Sequence, residues 1–108
     1  MNNLFSILLK AVANQNAKFI GSEFASGKNR AFRAANQALS NTLPNNVILS
    51  DIRRTTLKII GSKDMSFYDV EEASSVVYSN SHSDVDMNFM AIIDDRLRDK
   101  IQVRVIGD

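Results

Sequence analysis

The stretch Lys28 to Leu39 constrains the fold of this chain more than any other. Ala31, Ala34, Ala35 and Ala38 recur at steps of three, one and three, which is one stripe of an α-helix. Alanine is the strongest helix former, and a stripe this bare lets the helix lie close against a flat surface. Ser26 is the expected N-cap, after a break at Ala25-Ser26-Gly27. The rest of the chain supplies the surface. Thr55 to Ile60 is β-branched and alternating, which reads as a strand ended by Gly61-Ser62. Val85, Met87, Phe89 and Ala91 alternate with Asp86, Asn88 and Met90, and Ile101, Val103 and Val105 with Gln102 and Arg104. A shorter strand is expected between about Asn14 and Phe24, where Ala17, Phe19 and Gly21 alternate with Lys18 and Ile20.

Two further helices complete the pattern. Leu4, Ile7, Leu8 and Val12 mark one face of a helix from Met1 to about Val12, capped by Asn2 or Asn3. Ser66-x-x-Asp69 starts another, with Glu71 and Glu72 in its first turns, where carboxylates favour the helix dipole. Its apolar stripe is Phe67, Val70, Ser74 and Val77, with Ala73 and Val76 beside it, and it runs to about Ser79. Asn41 to Ser50 is a loop. The charged run Asp94 to Lys100 is expected to join the last two strands as a hairpin, giving an antiparallel pair.

The order α-β-α-β-α-β-β predicts an α+β two-layer sandwich: a four-stranded mixed sheet with helices on one face. Leu57, Ile59, Val85, Met87, Phe89, Ile101, Val103 and Val105 should pack under the helices. The other face, with Lys58, Asp86, Asn88, Gln102 and Arg104, should be wholly or partly wet. The 108 residues form one domain, with 1–13 a separate helical segment and 14–108 the α/β core.

Composition narrows the chemistry. There are no cysteines, which removes disulfides, cysteine metal sites and a cysteine nucleophile. The net charge of +1 calls for neither nucleic acid nor an anionic membrane surface. Residues 1–54 carry seven Lys/Arg against two Asp/Glu, and residues 55–108 six against ten, so the halves differ in sign. Folding is expected to mix them. No run reaches the ~18 apolar residues of a membrane span. A soluble, cytoplasmic protein without direct membrane contact is the expectation.

The residues that could carry chemistry read better as scaffold. His82 is the single histidine and sits in a polar loop rich in serine; a deep pocket around it would mark an enzyme instead. Asp84-x-Asp86-x-Asn88 copies the start of a calcium loop, but Phe89 stands where the loop needs Gly and Asp95 where it needs a bidentate Glu. Gly21 to Gly27 precedes a helix without the spacing or the Lys-Ser/Thr of a phosphate loop. Lys28, Arg30 and Arg33 crowd a helix start, where cations oppose the dipole; that hints at an anionic group close by, but a solvated face is the commoner explanation. Arg53-Arg54 is a second small basic spot. No metal or cofactor site emerges.

The ordered set Gly21-Ser22-x-x-Ala25-Ser26-Gly27-x-x-Arg30-Ala31-x-x-Ala34-Ala35-x-x-Ala38-Leu39 resembles the second domain of FtsZ, the bacterial tubulin homologue. Leu43, Leu49-Ser50, Arg53, Ile59, Gly61 and Asp64-Met65-Ser66 continue the resemblance. So do Glu72-Ala73-Ser74, Ile92-Ile93-Asp94, Leu97-x-Asp99 and Ile101-x-Val103-x-Val105-Ile106. The resemblance is colinear over essentially the whole chain but covers only the C-terminal, activation domain; the glycine-rich GTP-binding domain is not among these residues. It implies a four-stranded mixed sheet with two helices on one side. It also implies no catalysis and no cofactor on this chain, GTP being held by the family's N-terminal domain. The implied role is subunit contact in cell-division filaments, with an FtsZ-type GTP-binding domain or other FtsZ subunits as partners and no nucleic acid.

There are departures. Glu23 stands at the family's second turn glycine, Lys58 at an Asn and Ile60 at a Ser/Thr. Met1 to Ile7 resembles the synergy loop, which enters the next subunit's GTP pocket. Asn2 and Phe5 match it, but Leu4 and Ile7 fall at its two Asp positions. Asn2, Leu4, Phe5 and Ile7 are therefore the expected interface residues, with no catalytic residue among them. A stand-alone module that caps or regulates filaments is the alternative.

Overall fold

The computed structural model describes residues 19–42 and 48–107. The expected first helix, with Asn2, Leu4, Phe5 and Ile7, lies outside the described residues. The elements run β1 (Phe19–Ser26), α1 (Arg30–Ser40), β2 (Arg54–Gly61), α2 (Phe67–Ser79), β3 (Asp86–Ile93) and β4 (Lys100–Gly107), with short 3-10 turns at Leu49–Asp51 and Asp95–Leu97.

The alanine stripe does what its spacing requires. Ala31, Ala34, Ala35 and Ala38 are fully buried, and α1 lies across β1 and β4 and against α2. The approach is so close that a Cβ on Gly21 would stand 2.1 Å from the Ala38 carbonyl oxygen. α1 starts at Arg30 rather than Lys28, because β1 extends to Ser26. The cap is Asn29, in the left-handed region with φ 56° and no side-chain capping bond, not Ser26. α2 begins as its sequence indicates: Ser66 Oγ accepts from the Asp69 N–H, and the Asp69 carboxylate accepts from the Ser66 N–H.

The sheet is mixed, as expected, but its order is β1-β4-β2-β3. β4 runs antiparallel to both β1 and β2, and β3 runs parallel to β2. The expected hairpin between the last two strands is therefore wrong: β2 lies between them. The Asp94–Asp99 segment passes over the end of β2 instead. It is held there by the Asp94 N–H donating to the Gly61 carbonyl (2.8 Å) and the Lys63 N–H donating to Asp95 Oδ1 (3.0 Å).

Leu57, Ile59, Ile101, Val103 and Val105 form the sheet's share of the core, facing Ala73 and Val77 of α2 and the alanines of α1. Two expectations fail at the margin. Phe89 is 46% exposed, and Val85 and Met87 are only half-buried, because the helices lie over β1, β4 and β2 and leave β3 outside. Phe67 is exposed, the buried side of α2 being Ala73, Val76 and Val77. The second sheet face is drier than its polar residues imply: Ile20, Ile60, Gln102 and Ile106 are buried, and Lys58 and Arg104 half-buried.

Candidate interaction site

Of the cations at the start of α1, Arg30 finds anions, and the anions belong to this chain. Arg30 reaches Asp69 of the α2 capping box twice, through Nη2 to Oδ2 (2.8 Å) and Nε to Oδ1 (3.3 Å). Both side chains are 13% exposed. The same guanidinium donates to the Asp99 carbonyl (2.7 Å) and lies 3.5 Å from Asp64. One side chain thus ties α1, α2, the β2–α2 connection and the β3–β4 connection together at one pole of the domain. Burial pushes the Asp69 carboxyl up, but the Arg30 bond and the Ser66 N–H outweigh it, and its pKa lies below the ordinary value. The Ser62 hydroxyl, and then Arg30, hold Asp64 low as well. The Arg30 guanidinium is raised by Asp69.

Two more arginines, Arg33 and Arg96, are engaged within their own turns. Arg33 turns back to the carbonyls of Ser26 and Lys28, closing the turn in which Gly27 adopts φ 82°. Arg96 is forked on Asp94 at 2.9 and 2.8 Å, which holds the Asp94 carboxyl at about 2. This arrangement can fix backbone and loops. The Asp64 and Asp69 carboxylates are committed to Arg30 and to the hydroxyls of Ser62 and Ser66.

The other candidates resolve as scaffold. His82 Nδ1 accepts from the Asp84 N–H (2.9 Å), a bond inside one turn. Asp86 and Asn88 lie in β3, so the calcium-loop pattern is a strand. Among the described residues no group of His, Cys, Asp or Glu could hold a metal ion. No helix among them is long and apolar enough to cross a membrane. Two open depressions of about 440 and 470 Å3 lie over the helices, one lined by Phe32, Glu71 and Val76, the other by Leu39, Thr42 and Asn80; His82 lines neither.

What the surface does offer is apolar. Phe89, Met90, Ile92 and Ile93 of β3 are exposed, as are Phe67 and Tyr68 at the start of α2. Sequence reasoning missed this site because it assigned Phe89 to the core. The signal was there: β3 is apolar on both faces, at Phe89, Ala91 and Ile93 as well as at Met90 and Ile92.

A mixed sheet in the order β1-β4-β2-β3, backed by two helices on one side, defines the class: a two-layer α+β domain. The chain belongs to the FtsZ family, since residues 17–107 match the model of the FtsZ family C-terminal domain. An FtsZ dimer from M. jannaschii is similar in structure over 83% of this chain and 26% of that one, with a TM-score of 0.74 and 23% identity. CetZ from Methanosaeta thermophila (0.55; 17% identity; 81% and 25% covered) and TubZ from Bacillus thuringiensis serovar israelensis (0.59; 10%; 82% and 24%) share the fold. The chain spans about a quarter of the length of each of these proteins.

Proposed function

We propose that this chain acts as the C-terminal domain of an FtsZ-like cell-division GTPase, making subunit contacts in filaments and performing no catalysis on its own. The observation that carries this reading is the match to the FtsZ C-terminal domain along residues 17–107. The FtsZ relative described as a dimer supports a second FtsZ-type subunit as partner. The Arg30 pole suits the role, because its salt bridges are spent on rigidity. Nucleotide is then held by the partner's GTP-binding domain. Binding of this chain to an immobilised FtsZ-type GTP-binding domain tests the reading. Micromolar affinity is expected, and no binding at hundred-micromolar chain would reject it.

The alternative, a module that caps filaments, is favoured by Leu4 and Ile7 at the two acid positions of the synergy-loop resemblance. An apolar side chain cannot orient water for attack on a phosphate, where positioning and charge supply most of the catalysis. A Leu4→Asp, Ile7→Asp double variant that gains stimulation of GTP turnover would place the difference at those two residues.

A further inference from the structure

We draw no further inference here: the strongest candidate, the surface patch on the sheet face turned away from the helices, where Lys58 stands in register with Arg104 on one side and the exposed Met90 on the other, carries none because nothing in the structure shows what covers it.

Discussion

At the residue scale, Arg30 has the widest reach. It was legible in sequence as a cation placed against a helix dipole, a conflict that hinted at an anion nearby although a solvated face was the commoner reading; the structure supplies the anion. It could not be told from sequence that the anions were Asp64 and Asp69, because both lie more than thirty residues away along the chain. Arg30→Met should destabilise the domain by about 2–4 kcal/mol, between the loss of one charged hydrogen bond and the rupture of a buried pair. The effect should depend on pH. Asp69 has a folded pKa below its unfolded one, so its contribution is complete above the unfolded value, near 4, and is lost as pH falls through the folded value. Urea midpoints of wild type and Arg30→Met should therefore differ most at pH 6 and converge towards pH 2. Gly21 is the second decisive residue. Gly21→Ala would drive a Cβ into the backbone of Ala38, and a clearly lowered Tm should report the displaced helix.

At the scale of elements, periodicity identified each face and misjudged the neighbours. The alanine stripe and the Ser66 capping box were readable because both are local patterns whose partners lie within a few residues. Strand order was not readable. An alternating strand declares which side is apolar but not which strand lies next to it, and Asp94–Asp99 is long enough to carry β4 past the end of β2. The error at Phe89 follows from the same gap, since its burial depends on whether a helix reaches the edge. Two substitutions measure the difference. Leu57→Ala, in the central strand at 1% exposure, should cost about 2–5 kcal/mol. Phe89→Ala should cost only about 1 kcal/mol, a fraction of what full burial of an aromatic is worth. Equal losses in chemical denaturation would mean that β3 is covered after all. Ala35→Leu should resemble Leu57→Ala in severity, because it overfills the helix–sheet contact.

At the scale of the whole molecule, the sequence halves of opposite charge meet at the Arg30 pole. Arg30 from the basic half is neutralised by Asp64 and Asp69 from the acidic half, so folding mixes the signs. Beyond the Arg30 pole, the domain offers a half-buried cationic row at Lys58 and Arg104 and an uncovered apolar edge at β3. Membership of the FtsZ family was legible in the ordered motifs from Gly21 to Ile106. The expected contact residues Asn2, Leu4, Phe5 and Ile7 lie outside the described residues, and the apolar edge emerged only with the strand order. The central claim is that the domain engages FtsZ-type subunits. It is tested most directly by adding this chain in molar excess to a polymerising FtsZ-type GTPase and following sedimentation and phosphate release together. The account predicts less sedimented polymer and no rise in GTP turnover per subunit; unchanged sedimentation and unchanged turnover would contradict it.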